Sequence, residues 1–259
     1  MGSRTLSGLT GAVSLLTRIP VTTHADEFEV EGSVPWFPVV GAGIGVLIAL
    51  VYVGGIVLLP TIVAATLAAG GGALLTGALH EDGLADVTDA FAGGSTQERR
   101  IEILDDPRLG TFGVMALTTS FLLRVGAISA LDTWSALALI PAAHAMSRVG
   151  VIVLMRRLPP AQSGGLGIAY SRSLTAGREL TAVVTGVVLC ALFIGKWALP
   201  AIVLCAAVAL GMGRLARIKV GGISGDVLGG AQQLGELLIL VLGAAVAHQG
   251  WDALAWWLP

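Results

Sequence analysis

Charged residues are scarce in this sequence: only 12% of its 259 residues are Asp, Glu, Lys or Arg. An ordinary soluble domain carries roughly 25% charged residues, so this chain lacks the polar surface that such a domain needs. Hydrophobic residues make up 55% of the chain, and the mean hydropathy is +0.85. These values exclude a typical soluble enzyme and indicate an integral membrane protein.

Cysteine is also nearly absent. Cys190 and Cys205 both fall in apolar stretches that are predicted to lie in the membrane, so a disulfide framework is not expected. The formal net charge is only −2, which gives no reason to expect nucleic-acid binding. The few charged residues therefore carry most of the information about function.

Several apolar runs reach the length of about 20 residues that a helix needs to cross about 30 Å of hydrocarbon. They predict an all-α fold, a polytopic integral membrane helical bundle formed by a single domain over residues 1–259. Seven transmembrane helices are expected, at residues 36–57, 59–79, 111–131, 133–155, 180–199, 200–212 and 228–248. The shorter apolar stretch at residues 5–16 is predicted to be a helix at the membrane surface.

Basic residues near the ends of membrane spans mark the cytoplasmic side. In the seven-span prediction, almost all of those residues fall on one side of the membrane: Arg4, Arg18, Arg99, Arg100, Arg108, Arg156, Arg157, Arg172, Arg178, Arg214, Arg217 and Lys219. Lys196 lies near the opposite side. The long polar segments are therefore expected to face the cytoplasm.

Three aspartates follow the second predicted span at a helical spacing. Asp82, Asp86 and Asp89 stand at i, i+4 and i+7, which places them on one face of a helix predicted to continue that span. Like charges on one face repel, and a hard divalent cation such as Mg²⁺ would offset the repulsion. Asp105 and Asp106 are further candidate ligands if the connection folds back. The alternative is an acidic face exposed to water at the membrane surface.

Three arginines lie in the same polar segment as the aspartates. Arg99, Arg100 and Arg108 are suited to bind phosphate, because a guanidinium group donates paired hydrogen bonds to phosphate oxygens. Candidate phosphate-binding cations therefore stand beside candidate metal-binding anions, which favours a phosphate-bearing substrate over a merely solvated acidic face.

A second polar passage, at residues 214–236, has the same mixture of charges. Gly221, Gly222 and Gly225 would let backbone N–H groups approach an anion closely, and Asp226 follows them as a further candidate metal ligand. Such a glycine-rich turn is weak evidence on its own, since connectors of this composition are common.

Some polar residues lie within apolar stretches or beside them, and their roles stay open. Glu236, about two turns inside an apolar helix, either faces a substrate cavity or forms a structural ion pair with Arg148 or Arg124. His144 would share a face with Arg148, for a structural hydrogen bond or a substrate contact. His80, next to the aspartates, is a candidate base, a supporting group or an interfacial residue.

Several motifs together resemble the cobalamin synthase family, the adenosylcobinamide-GDP ribazoletransferases. They are "HEDGLADVTDAF" at residues 80–91, "ILDDPRLGTFGVMAL" at 103–117 and "GGISGDVLGGAQQLGE" at 221–236, with "TRIPV" and "WFPVVGAGIG" near the start. They occur in the family's order and cover most of the chain. Ser224 stands where the family usually has threonine, and Gly230 where it usually has alanine; neither change unsettles the resemblance.

The resemblance implies a multi-pass enzyme of a bacterial or archaeal cytoplasmic (inner) membrane, with its site on the cytoplasmic face. It would join α-ribazole, or its 5′-phosphate, to adenosylcobinamide-GDP, giving adenosylcobalamin, or its 5′-phosphate, and GMP. The family requires Mg²⁺. The expected partners are these two substrates and membrane lipid, with a homo-oligomer left open and no nucleic acid.

The candidate site residues follow from the motifs and the chemistry together. The catalytic candidates are His80, Asp82, Asp86 and Asp89. The candidate metal ligands are Asp82, Asp86, Asp89, Asp105, Asp106 and Asp226. The candidate substrate-binding residues are Arg99, Arg100, Arg108, Gly222, Ser224, Gly225 and Glu236.

Two other functions share some of these sequence features. A CDP-alcohol phosphotransferase also uses an aspartate cluster at a membrane, but its pattern has glycine directly after the second aspartate and then an alanine–arginine pair. Here Val87 follows Asp86, so the pattern fails. A cation-coupled transporter would also carry acids such as Glu236 within its spans, but it has no need of a long polar segment rich in aspartate and arginine.

Overall fold

The structure is a computed structural model, and it describes residues 2–21, 30–161 and 174–250. Arg172, one of the basic residues used to predict the topology, lies outside the described residues. The helices are α1 Gly2–Leu16, α2 Val30–Ser33, α3 Phe37–Ile56, α4 Thr61–Thr76, α5 Leu79–Gly93, α6 Gln97–Leu104, α7 Thr111–Ser129, α8 Thr133–Arg157, α9 Ala176–Ile194, α10 Ala198–Lys219 and α11 Gly225–His248.

The prediction of an all-α membrane protein is confirmed. Within the described ranges the chain forms helices and no β-strand, and five stretches are long and apolar enough to cross a membrane. They are Val34–Ile56, Thr111–Ser129, Thr133–Arg157, Ala176–Lys219 and Gly225–His248. A sixth span results if α4 and α5 together count as one, so the number seven stays a prediction.

The second predicted span differs from the structure in a way that matters for the site. The helix α4 has only 16 residues, and α5 leaves it at an angle of 90°. The aspartates therefore do not lie on a helix that continues the span, as the spacing had suggested. The bend lies at Gly77 and Ala78, whose φ angles of 66° and 56° are left-handed and end the helix.

The fifth and sixth predicted spans fall in the single 44-residue stretch Ala176–Lys219. A straight helix of that length would measure about 66 Å, roughly twice the hydrocarbon thickness. The structure divides the stretch at Gly195, whose φ is 51°. Val187 of α9 and Ile202 of α10 line the same cavity, so the chain folds back there and the two helices run side by side.

The helix α8 forms the centre of the bundle. Within this span, 89% of the most apolar window is buried, because α3, α9, α10 and α11 pack around it. Its contact with α3 is close: a Cβ atom at Gly41 would lie 2.6 Å from the carbonyl oxygen of His144, and one at Gly45 would lie 2.6 Å from Cα of Pro141. Small residues at such crossings let membrane helices approach each other.

Large apolar side chains cover the outside of the bundle, as expected for surfaces that face lipid. Leu50, Leu67, Leu122, Leu192 and Leu210 are all more than half exposed.

Several chain segments meet at one end of the bundle. The backbone after α8 pairs with the turn before α11, through N–H of Ile223 to the carbonyl oxygen of Pro159 at 2.9 Å. Arg100 of α6 donates to the carbonyl oxygen of Lys219, the last residue of α10, at 3.4 Å. This end carries most of the basic residues used above to predict the cytoplasmic side.

Candidate active site

The helices α5 and α11 cross at glycines, and this crossing brings the two acidic motifs together. A Cβ atom at Gly83 would lie 2.9 Å from the carbonyl oxygen and 3.0 Å from Cα of Asp226. Gly229 of α11 also packs against Gly83, since a Cβ atom at Gly229 would lie 3.4 Å from Cα of Gly83. The backbone of Gly83, next to Asp82, therefore lies directly against Asp226.

The pKa of Asp86 on α5 shows the influence of the neighbouring carboxylates. Helix α5 lies outside the five stretches that are by themselves long and apolar enough to cross a membrane. The pKa of Asp86 is raised to about 7, first by burial and then by the charges of Asp82, Asp226 and Asp89. Asp105 in turn lies near enough to interact with Asp226. A cluster of carboxylates is thus present, and its members destabilise one another's ionised forms.

Within the described part of the chain, neither Asp82 nor Asp86 has a side-chain hydrogen bond or an ion pair. Their donor chemistry fits Mg²⁺, which prefers carboxylate oxygens and usually keeps water and substrate phosphate as its other ligands. Among those same residues, however, no three His, Cys, Asp or Glu side chains converge closely enough to form a complete metal site. The magnesium site therefore stays a prediction.

Asp89 has a partner that sequence reasoning missed. Its Oδ2 accepts from N–H of Gly110 at 2.8 Å, and its Oδ1 accepts from N–H of Gly113 at 2.9 Å. These amides stand at the start of α7, where a negative charge also interacts favourably with the helix dipole. A Cβ atom at Gly110 or Gly113 would lie 2.4 or 2.3 Å from a carboxylate oxygen of Asp89, which explains the glycines of "LGTFG". Asp89 thus joins α5 to α7, and its role as a metal ligand stays untested.

The three candidate phosphate-binding arginines differ in how far they are engaged. Arg99 pairs with Glu102 at 2.7 Å on an exposed surface. Arg108, 85% exposed, makes a bidentate pair with Asp106 at 2.9 and 2.7 Å, and this pairing lowers the pKa of Asp106 to about 2. Exposed ion pairs contribute little to stability because water competes for both partners, so either arginine is able to exchange its partner for phosphate.

Arg100 is held more firmly. Besides the bond to Lys219, it donates to the carbonyl oxygen of Ser95 at 3.3 Å. Lys219 itself donates to the carbonyl oxygen of Phe91 at 2.8 Å, and Gln97 to that of Val220 at 3.3 Å. These bonds fix α6 against the end of α10, which gives Arg100 a structural role that its sequence context did not indicate.

A cavity of about 470 Å³ lies beside this segment. Asp89, Asp106, Arg108 and Gly110 are among the residues that line it. Its wall combines a carboxylate, an arginine and the start of a helix, so it is a candidate place for part of a phosphate-bearing substrate.

Two glycines of the turn before α11 differ in their surroundings: Gly222 packs tightly against another segment, whereas Gly225 has free space beside it in the described part of the chain. A Cβ atom at Gly222 would lie 2.1 Å from the carbonyl oxygen of Pro159, so glycine is needed there for the chain pairing rather than for an anion. Gly225 has no atom near its Cβ position within the described residues. Ser224 caps α11: its Oγ accepts from N–H of Val227 at 3.2 Å and lies 3.3 Å from Oδ2 of Asp226. A threonine would also cap this helix.

Glu236 lies in a buried cluster of charged and polar side chains from four helices. Its Oε1 is 3.2 Å from Nη2 of Arg124, and its Oε2 is 3.2 Å from Nη1 of Arg148 and 3.0 Å from Nδ1 of His144. Glu236 thus forms ion pairs with both of the arginines that the sequence offered as partners. Gln232 adds a hydrogen bond of 2.7 Å to Oε2.

Other members of this cluster were missed by sequence reasoning. Glu81 pairs with Arg124 at 3.0 Å, Gln233 accepts a hydrogen bond from Arg124, and Ser147 lies between Arg148 and Gln232. Glu81 was hidden among the more regularly spaced aspartates. The spacing of Gln232 and Glu236, four residues apart on one helix, was the available signal.

A cavity of about 160 Å³ connects the carboxylates with this cluster. His80, Asp82, Arg148 and Asp226 line it, together with apolar residues of α1, α3, α8 and α11. Burial, followed by the charge of Arg148, lowers the pKa of His80 to about 3, so this imidazole is neutral at pH 7. The structure therefore brings together His80, Asp82, Asp86 and Asp226, while Glu236 and Asp89 bond to neighbouring helices.

Comparisons with known proteins identify the family. A family model for cobalamin-5-phosphate synthase matches residues 8–244. The adenosylcobinamide-GDP ribazoletransferase of Bradyrhizobium diazoefficiens is 41% identical, covering 90% of this chain and 92% of its own length. Those of Azorhizobium caulinodans, 40% identical, and Chlorobaculum tepidum, 37% identical, each cover 92% of this chain and 96% and 95% of their own lengths. No solved structure matches the chain. The match over nearly the whole length, with both acidic motifs included, shows that the chain belongs to the cobalamin-5-phosphate synthase family.

Proposed function

We propose that this chain is an adenosylcobinamide-GDP ribazoletransferase whose active site lies at the crossing of α5 and α11. The observation that carries the proposal is the contact of Gly83 with Asp226, which joins the two acidic motifs in one carboxylate cluster. The relatives bear the name of this activity, and they match the chain over nine-tenths of its length.

The reaction is a displacement at phosphorus. The 3′-hydroxyl oxygen of α-ribazole, or of its 5′-phosphate, forms a bond to the phosphorus attached to the cobinamide arm. The bond from that phosphorus to the bridging oxygen breaks, and GMP leaves with the bonding electrons. The products are the corrinoid, GMP and the hydroxyl proton. The candidates to receive that proton are His80, which is only a weak base because its pKa is lowered, and an acid of the carboxylate cluster.

The chain's own residues position the substrates and balance their charge. Asp82, Asp86 and Asp226 would hold Mg²⁺, which supplies positive charge to pyrophosphate oxygens when bound. Arg99 and Arg108, both exposed and only weakly engaged, are the better candidates to bind phosphate, since Arg100 is tied to backbone carbonyls. Positioning accounts for most of the rate, because phosphoryl transfer needs little covalent chemistry from the protein.

The central test uses purified protein in liposomes with both substrates, over a range of Mg²⁺ concentrations. Asp86→Asn keeps the size of the side chain and removes its charge, so we expect it to lose most activity and to need more Mg²⁺. The matched control is Asp132→Asn. Asp132 caps the start of α8, at the end of that helix opposite to Arg156 and Arg157, and asparagine is also able to cap a helix. Normal turnover of Asp86→Asn at low Mg²⁺ would remove this residue from the site.

The bond that breaks is tested with labelled substrate. Adenosylcobinamide-GDP carrying ³²P in the phosphate next to cobinamide is expected to deliver its label to the corrinoid product. Label recovered in GMP would show attack at the other phosphorus and refute the proposed displacement.

We further propose that the site lies on the cytoplasmic face of the cytoplasmic (inner) membrane. The ends of α8 and α10 carry Arg156, Arg157, Arg214, Arg217 and Lys219, and basic residues of this kind are retained on the cytoplasmic side. A cysteine introduced at Thr96, at the start of α6, is expected to resist an impermeant thiol reagent applied to intact cells. Ready labelling there would reverse the orientation.

A further inference from the structure

An apolar groove runs along the bundle between α8, α9 and α10, away from the carboxylates. It encloses about 750 Å³. Its walls are almost entirely apolar and include Val149, Val153, Val183, Val187, Ile202 and Ala206. Leu210 and Ile218, which also line it, are 75% and 63% exposed, so the groove opens sideways on the outer surface of the bundle.

Three arginines stand at one end of this groove. Arg157, at the end of α8, and Arg214 and Arg217, near the end of α10, all line it. Arg157 lies 3.5 Å from Glu179, which offsets part of its charge. Within the described part of the chain, Arg214 and Arg217 form no ion pair, so this end of the groove carries an excess of positive charge.

The dimensions and the charge fit one kind of ligand. From Ile202 to Ile218 the groove follows about 24 Å of helix at 1.5 Å per residue, longer than the roughly 15 Å of one hydrocarbon leaflet. An acyl chain would therefore have apolar wall along its whole length. The arginines stand at the end of both helices, where the headgroups of the lipids would lie, and guanidinium groups bind phosphate oxygens strongly.

We propose that this groove binds one anionic glycerophospholipid, with an acyl chain between α9 and α10 and the phosphate at Arg157, Arg214 and Arg217. Nothing in this inference depends on the transferase chemistry. The lipid site and the carboxylate cluster involve different residues, so either assignment is able to fail alone.

The test is native mass spectrometry of the purified full-length chain in neutral detergent, titrated with phosphatidylglycerol or with phosphatidylcholine. The wild-type protein is expected to retain one phosphatidylglycerol in preference to phosphatidylcholine. Replacing both Arg214 and Arg217 by Gln is expected to weaken phosphatidylglycerol binding by about fivefold for each arginine removed. The control is Arg156→Gln, a neighbouring basic residue that does not line the groove.

A second pair of variants tests the apolar part. Ala206→Phe, at an exposed position on the groove wall, is expected to displace both lipids, whereas Ala207→Phe, exposed but outside the groove, leaves binding unchanged. Both positions are exposed, so folding is preserved, and thermal unfolding checks this. Equal binding of the two lipids, or equal effects of Arg156→Gln and the double variant, would overturn the proposal. Dissociation of a dimer by Ala206→Phe would also overturn it, because the groove would then bind a second copy of the chain. Release of the lipid by adenosylcobinamide-GDP would overturn it as well, because the groove would then bind the substrate.

Discussion

Replacing Glu236 by Gln separates the two roles that its position inside a membrane span suggested. The carboxylate is only 1% exposed and lies within 3.2 Å of both Arg124 and Arg148. With Glu81 also paired to Arg124, the cluster holds two carboxylates and two guanidinium groups, which balance when His144 is neutral. The substitution keeps the shape of the side chain and leaves one positive charge uncompensated in a buried place.

Breaking a buried ion pair in this way costs roughly 3–5 kcal/mol. For a chain of this size, about 2–4 °C of Tm corresponds to each kcal/mol, so Tm of the detergent-purified variant is expected to fall by about 6–20 °C. The double variant Glu236→Gln with Arg148→Met restores the balance of charge. It is expected to recover part of the loss, because the remaining arginine and Glu81 still pair.

The assay is thermal unfolding of single and double variants beside transferase activity at saturating substrate. A variant Glu236→Gln that melts like the wild type but has lost activity would refute the structural assignment and return Glu236 to the substrate site. If Tm of the double variant falls by more than the sum of the falls in the two single variants, the charges do not compensate each other.

Three further substitutions test the surroundings of the carboxylates. Gly83→Ala places a methyl group 2.9 Å from a backbone oxygen of α11, so activity is expected to fall at least about tenfold as the helices separate. The control Gly43→Ala is expected to be neutral, because no neighbouring atom of the described residues lies within 4 Å of its Cβ position. Equal activities of the two variants would show that the crossing tolerates separation. Asp89→Asn replaces one of the two acceptor oxygens by a donor, so Tm should fall by an amount corresponding to about 1–3 kcal/mol. The Mg²⁺ requirement is expected to stay unchanged. A shifted requirement would instead make Asp89 a metal ligand. Arg108→Gln should lower kcat by about 10² to 10³ with Tm unchanged, and an unaffected kcat would place this arginine outside the site.

The sequence predicted those parts of the molecule that depend on local pattern. The apolar runs became helices, and Asp82 and Asp86 lie on one helix, as their spacing predicted. That this helix lies near Asp226 is seen only in the structure. The ion pair of Glu236 with an arginine was one of two alternatives left open by the cost of an isolated charge in a span.

The parts that were missed depend on contacts between distant residues. The bend after α4 uses Ala78 at a positive φ, a conformation that this residue type rarely adopts and that no local signal indicates. Asp89 bonds to amides more than twenty residues later in the chain, and the regular spacing of the aspartates gives no sign of this bond. The metal-binding role that the spacing suggested for Asp89 stays a prediction. Gly222 serves a pairing with Pro159, which composition alone cannot distinguish from an anion-binding turn.

These tertiary contacts give a physical reason to expect a cation at the carboxylates. Glu81, near the start of α5, bonds to Arg124 of α7, and Asp89, near the end of α5, bonds to the first turn of α7. Between these two attachments, Gly83 packs against α11. The segment that carries Asp82 and Asp86 is therefore fixed on two sides, so the repulsion of their charges is not relieved by moving the helix away from Asp226. Binding of a cation or uptake of a proton would relieve the repulsion. We propose the cation, because the proposed substrate would bring the further negative charge of a pyrophosphate to the same place.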